Sequence, residues 1–406
     1  MSIMAREENF MLSSNTTSSD INIHLLNYIV NEEEVKVREI SVHTTHLSDD
    51  NSKDIEPEGK IWTRFYEENC FARMTHFTRT EILDIWREMM VFGLKSKKRG
   101  RKSTISDMDA LLAYLVLIKT GIDYDTLAAL FKVHVSSLIR AFEKVAPILY
   151  DTLKNRWWGN KIRPRPLAGS NFPYIALCGD STSIEVNRPK GRYEESKHYF
   201  DYKNGIYALK KECAVMATPP HYCVFSQKAV VGSVNDFNIL KTTYDSYVEY
   251  LFKRTEEKNL ISSDESNSSW AILLDSAYIC SDENKTPGLR KIALLKGEIP
   301  PLQRNLQAEL RRIRVVIEQF FGRLKSLWSI FRKPYRYSHE KFDMDFDICV
   351  LLTNEHIKSN FLQECDQIFH HNLHNIRRLQ QESKDKKNRE QVSKSRQRKR
   401  QRVNII

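Results

Sequence analysis

The chain has 406 residues, is 41% hydrophobic and carries a net charge of +11. It is long enough for two or three domains and too apolar to be wholly disordered. No uninterrupted apolar run reaches the length of a membrane-spanning helix, and the first twenty residues lack the apolar stretch of a secretory signal. The seven cysteines are scattered without a CxxC pair, so neither a zinc module nor a disulfide framework is indicated and a reducing, intracellular setting is expected.

Residues 1–60 hold twelve acidic residues against five Lys or Arg and show weak periodicity, which predicts a flexible acidic arm. A helical region over 61–155 follows. Thr78 or Thr80 is placed to cap a helix containing Ile82, Leu83, Ile85 and Trp86. The block LKSKKRGRKST, residues 94–104, reads as a basic linker.

Between about 106 and 146 apolar residues recur at helical spacing: Leu111, Leu115 and Ile118, then Leu127 and Leu130, then Leu138 and Phe142. Gly121 separates the first two helices, and KVHV breaks the chain before SSLIRAFEKV. This is the order of a helix-turn-helix, whose second helix enters a major groove. Ser136, Ser137, Arg140 and Lys144 lie off the apolar stripe and are the candidate DNA contacts. A plain three-helix bundle has the same pattern, and Lys132 stands where many such turns carry glycine.

After the Pro-rich joint KIRPRPLAGSNFP the pattern changes to strands. YIALCGD predicts a buried strand ending at Asp180. GIYALKKECAVMAT and YCVFSQKAVVG predict a hairpin of two long strands, and residues 236–254 an amphipathic helix. WAILLDSAY is a short apolar strand ending at Asp275. Residues 282–305 read as irregular, and a long helix containing Glu318 precedes further helix to about 361. Such a succession predicts an α/β fold, a mixed sheet covered by helices, preceded by the all-α helix-turn-helix domain.

Two apolar strands that each end on a carboxylate raise one question. If these strands are neighbours, Asp180 and Asp275 lie side by side, an arrangement that is costly unless a cation sits between them. Magnesium, which prefers oxygen ligands, suits that place. Glu318 shares a helix face with Arg311, Arg314 and Lys325. It is either a third ligand beside a phosphate backbone or the partner of Arg314 in an i, i+4 pair. Asp236 and Glu185 are competing ligand candidates.

The order and spacing of Asp180, Asp275 and Glu318 resemble the DDE nuclease superfamily, and more narrowly the Harbinger-type transposases and their domesticated relatives. VVGSVNDFNIL (230–240) is similar to that family's Gly-Ser-x-x-Asp signature. NLQAELRRIRVVIEQFFGRLKSLWSIF is similar to its Arg-rich helix, and DICVLLTNEHI (347–357) to its closing helix. The segment after Asp180 matches only in outline, and the hairpin turn reads TPPH where glycine is common.

The resemblance implies a ribonuclease-H-like nuclease domain over 170–360. Asp180, Asp275 and Glu318 would be catalytic and would hold two Mg²⁺ (or Mn²⁺) ions. It also implies phosphodiester hydrolysis, strand transfer where the chain acts as a transposase, DNA as partner and a Myb-like accessory protein. Action at two element ends would favour a homo-oligomer, and the import signal in the basic tail predicts residence in the nucleus. Arg311, Arg314, Lys325 and the block around Lys97–Lys102 would hold the DNA backbone.

Residues 361–406 hold twelve Lys or Arg against five acids, which predicts a disordered basic tail with an import signal around Arg396–Arg402. The rival readings are a transposase-derived regulator that binds DNA without cutting it, and a two-carboxylate glycosidase. The basic charge and the helix-turn-helix disfavour the glycosidase.

Overall fold

A computed structural model describes residues 59–94, 103–190, 193–261, 264, 267–278, 288–294, 300 and 303–363. The acidic arm, nearly all of the basic linker and the basic tail lie outside the described residues.

The helical region begins with α1 (Lys60–Glu67), α2 (Phe71–Thr75) and α3 (Arg79–Val91). Thr78 caps α3: its hydroxyl accepts from the Glu81 amide, and the Glu81 carboxylate accepts from the Thr78 amide. This reciprocal pairing satisfies two amides that a helix start leaves open.

Next come α4 (Asp107–Thr120), α5 (Tyr124–Phe131) and α6 (Val135–Trp157). Gly121 ends α4 with φ +63°, and a Cβ there would come within 2.9 Å of the Ser329 carbonyl oxygen. Lys132 ends α5 in the same left-handed region at φ +54°.

The sheet is built from β1 (Ile175–Glu185), β2 (Phe200–Asp201), β3 (Ile206–Met216), β4 (Cys223–Ser226), β5 (Val230–Val231), β6 (Ala271–Leu274) and β7 (Lys291–Ala293). The intervening helices are α7 (Tyr193–His198), α8 (Asp236–Leu251) and α9 (Thr255–Lys258). The last two are α10 (Arg304–Leu327) and α11 (His339–Ser359). The strand order is β2-β3-β1-β6-β7, with β4 and β5 also pairing along β3. β1 runs antiparallel to β3 and parallel to β6, so the sheet is mixed and is compatible with a ribonuclease-H-like core.

Three local expectations need correction. β1 does not end at Asp180 but runs on to Glu185, because its pairing with β3 continues as far as Glu185 opposite Ala208. The returning arm of the hairpin is not one long strand; it breaks between Ser226 and Val230, where the Ala229 amide donates to Asp343 instead of to β3. The stretch 282–305 is not wholly irregular, since Lys291–Ala293 forms β7 beside β6.

Alternation along the strands assigns the helices to faces. The Cys178 thiol donates to the Ile313 carbonyl of α10, and Lys211 pairs with Asp343 and Asp347 of α11, so both helices cover one face. Glu212, pointing the other way, accepts from Thr243 and Tyr247 of α8.

Helix α6 packs along both α4 and α11. Arg156 pairs with Glu88 of α3 and Glu355 of α11, and the Trp157 indole donates to the same Glu355 at 2.6 Å. All the described residues except Gln363 fall within one compact unit, Ile55–Leu362.

Candidate active site

Asp180 lies on β1, and Asp275 is the first residue after the neighbouring strand β6. The last registered pair of β1 and β6 is Cys178 with Leu273, and each carboxylate stands two residues beyond it. Parallel pairing therefore brings them level. Gly179 leaves room for the β6 side chains beside it: a Cβ there would sit 2.8 Å from Leu274 Cδ2 and 3.1 Å from Ile272 Cδ1. Each aspartate accepts from the amide of the following serine, Ser181 at 2.8 Å and Ser276 at 2.7 Å.

Asp236 joins from the first turn of α8, where its carboxylate accepts from the Ser181 hydroxyl at 2.7 Å. Burial pushes the Asp180 carboxyl up to about 6. The Ser181 amide and Arg314 oppose this rise, and the charges of Asp236 and Asp275 add to it. Asp236 and Asp275 thus both act on Asp180.

Glu318 comes from α10, the helix against the Asp180 face. It is about half exposed and pairs with Arg314 one turn earlier. Arg314 also reaches Asp180, at 3.2 Å, so one guanidinium links the strand carboxylate to the helix carboxylate. The i, i+4 pair weighed from the sequence is present, and it is part of the same constellation as the proposed ligands. Glu185 is apart from them: five residues after Asp180 on one strand, it points to the opposite face and is exposed.

Lys325 extends from α10 to the Ser183 carbonyl at 3.3 Å, and burial lowers its pKa. Arg311 is exposed on the same helix. On α6, Arg140 folds back onto the Ser136 carbonyl at 3.1 Å, and Ser137 is half-buried. Lys144 pairs with Asp107 at 2.5 Å.

Residues not singled out from the sequence complete the surroundings. Ser181 and Ser183 follow Asp180 on β1, and Lys210 and Glu212 sit across from them on β3. The KKEC stretch, charged residues inside an apolar strand, was the available signal for Lys210 and Glu212. Glu212 is sealed from solvent, and burial pushes its carboxyl up to about 7.

The donor chemistry suits a hard divalent cation, since every candidate ligand is a carboxylate oxygen and Asp180 carries the strain of like charge. Among the described residues, however, no three His, Cys, Asp or Glu side chains converge closely enough to cage an ion, and Arg314 takes the cationic place between Asp180 and Glu318.

No curated protein matches the chain. Residues 179–354, which hold Asp180, Asp236, Asp275 and Glu318, match the family model of the DDE superfamily endonucleases, nucleases that act on DNA and generally use divalent metals.

Proposed function

We propose that the chain is a metal-dependent DNA endonuclease of the Harbinger transposase type. The observation that carries this reading is the placement of Asp180 on β1 and of Asp275 at the end of the neighbouring parallel strand β6, with Glu318 linked to Asp180 through Arg314. Asp180, Asp275 and Glu318 would hold Mg²⁺ or Mn²⁺, two ions in all, with Asp236 as a further ligand. Metal bound there supplies an activated water for in-line attack on a phosphodiester and stabilises the departing 3′ oxygen.

The chain's own residues do the rest. The amides of Ser181 and Ser276 orient the two strand carboxylates. Arg314, Lys325 and Arg311, all on α10, would hold the DNA backbone beside the carboxylates.

The helices α5 and α6 would act as the helix-turn-helix, with Ser136, Ser137, Arg140 and Lys144 facing DNA. A Myb-like accessory protein, a homo-oligomer that engages two element ends, strand transfer by the freed 3′-OH and work in the nucleus complete the proposal.

One observation favours a second reading, a DNA-binding regulator without catalysis: Arg314 already neutralises Asp180 and Glu318. Supercoiled plasmid separates the two. The wild-type chain should nick it with Mg²⁺ or Mn²⁺ but not with chelator, and Glu318→Ala should abolish nicking while retaining DNA binding. Equal binding by both proteins with no nicking by either, also with the accessory protein and element ends supplied, would leave the regulator.

A further inference from the structure

Beside the carboxylates, along β1 beyond Asp180, lies a cavity of about 340 Å³. Ser181 and Ser183 line it, with Lys203, Asn204, Lys210 and Lys325. Asp201 and Asp236 also line it, but both carboxylates are engaged with the hydroxyl groups of Ser183 and Ser181. Asp201 accepts from Ser183 at 2.6 Å and from Asn204 at 2.7 Å, and Asp236 accepts from Ser181 at 2.7 Å.

Lys210 donates to the Val234 carbonyl at 3.1 Å and stands 3.8 Å from Asp201. Three ammonium groups against two carboxylates leave the lining cationic. Lys325 in particular is held where burial penalises its charge, a penalty that a bound anion would offset. The remaining lining offers hydroxyls, an amide and the apolar side of Ile206.

We propose that this cavity holds a single nucleotide of the DNA strand, its phosphate on Lys203, Lys210 and Lys325 and its sugar and base against Asn204 and Ile206. Ligand pockets begin at about 300 Å³, so the space suits one mononucleotide and excludes a stacked base pair. Asp236 is shared between the cavity and the carboxylate cluster, so an occupant lies next to the bond to be cut. A nucleotide drawn out of the stack at that point would fix which phosphodiester reaches the metal-binding carboxylates. The proposal rests on the nuclease reading for its purpose, but nucleotide binding itself needs neither metal nor catalysis.

The test is a calorimetric titration of the full chain, in chelator, with a deoxynucleoside 5′-monophosphate, the matching nucleoside and inorganic phosphate. The monophosphate should bind, and both the nucleoside and inorganic phosphate at least about tenfold more weakly. Lys210→Met and Asn204→Ala should each weaken the monophosphate by about tenfold with the melting temperature unchanged. Lys203→Ala, on an exposed side chain, serves where Lys210→Met perturbs the fold.

Failure of the monophosphate to bind, or binding indifferent to Lys203→Ala and Asn204→Ala, overturns the proposal. Inorganic phosphate binding as tightly as the monophosphate overturns it in favour of a plain anion site. Nicking without nucleotide binding removes the pocket and keeps the nuclease. Nucleotide binding without nicking does the reverse.

Discussion

Arg314 lies 3.2 Å from Asp180 across the gap between α10 and β1, and with its other terminal nitrogen it also pairs with Glu318. A guanidinium in that position lowers the cost of keeping Asp180 ionised beside Asp236 and Asp275. It also competes with any cation that seeks the same carboxylates. Arg314→Gln should therefore bind Mn²⁺ about tenfold more tightly than the wild type at pH 8, the repulsion of one neighbouring charge having been removed. In the metal-free variant the Asp180 carboxyl should titrate above about 6. Carboxylate NMR and a Mn²⁺ titration measure the two effects; weaker Mn²⁺ binding would show that Arg314 organises the ligands instead of competing with the ion.

Protons compete for the same site. Asp180 in the folded chain titrates at about 6, raised by burial above its ordinary value. Below that pH the carboxyl is neutral and a poor ligand. Metal affinity, and with it metal-dependent nicking, should fall by about tenfold per pH unit once the pH drops below about 6. Asp180→Asn should lack this acid limb in a Mn²⁺-binding profile. A wild-type profile that stays flat from pH 7 to pH 4.5 would remove Asp180 from the ligand set.

Gly179 tests whether the strand spacing matters. Its added Cβ would press on Leu274 and Ile272, and both of those side chains are fully buried in the core. Gly179→Ala should cost about 1–3 kcal/mol in chemical denaturation, the usual cost of overpacking. The strain falls between β1 and β6, so the relation of Asp180 to Asp275 should change and metal affinity should fall more than the stability loss alone explains. An alanine variant as stable and as metal-competent as the wild type would mean that β6 has slack the packing does not suggest.

The candidate site was unevenly legible in the sequence. Asp180 and Asp275 stood out because each follows an apolar run, and their adjacency required only that β1 and β6 pair, which they do in parallel. Glu318 was visible as a carboxylate among cations, but the second contact of Arg314 depends on how α10 crosses the sheet, and no local pattern encodes that crossing. The continuation of β1 past Asp180 was hidden because Ile184 is the one apolar residue in STSIE. Thr182 and Ile184 are buried in alternation with their neighbours, but a buried threonine leaves no hydrophobic period to read. β7 is three residues long, too short for any period to register. The three-helix order of α4, α5 and α6 was legible down to the break at Lys132, whereas the packing of α6 against α11 is a long-range contact.

Lys132 pays a conformational cost that a glycine would avoid. It closes α5 at φ 54° and ψ 45°, where a side chain crowds the backbone, and it is exposed, so its side chain gains little packing in return. Lys132→Gly should stabilise the chain by about 0.5–1 kcal/mol, the left-handed penalty being partly offset by the greater freedom of glycine in the unfolded chain. Urea denaturation should show a higher midpoint with an unchanged slope. A lower midpoint would mean that the lysine side chain makes a contribution larger than the strain.

Glu212 links stability to pH in the opposite sense from a salt-bridged carboxylate. It is fully buried on β3, accepts from Tyr247 at 2.9 Å and from Thr243 at 3.0 Å, and its carboxyl is pushed up to about 7 by burial. In the unfolded chain it titrates near 4.5. Between those two values the folded state holds a proton that the unfolded state has released, so stability falls as the pH rises through this window and levels off above about 7. The shift corresponds to roughly 3 kcal/mol at pH 8. Glu212→Gln keeps an oxygen for Tyr247 and Thr243 and removes the ionisation. The difference in unfolding free energy between the glutamine variant and the wild type should therefore grow in favour of the variant from pH 5 to pH 8. Parallel stability curves for the two proteins across that range would show that Glu212 stays ionised in the fold, its charge balanced by groups other than Tyr247 and Thr243.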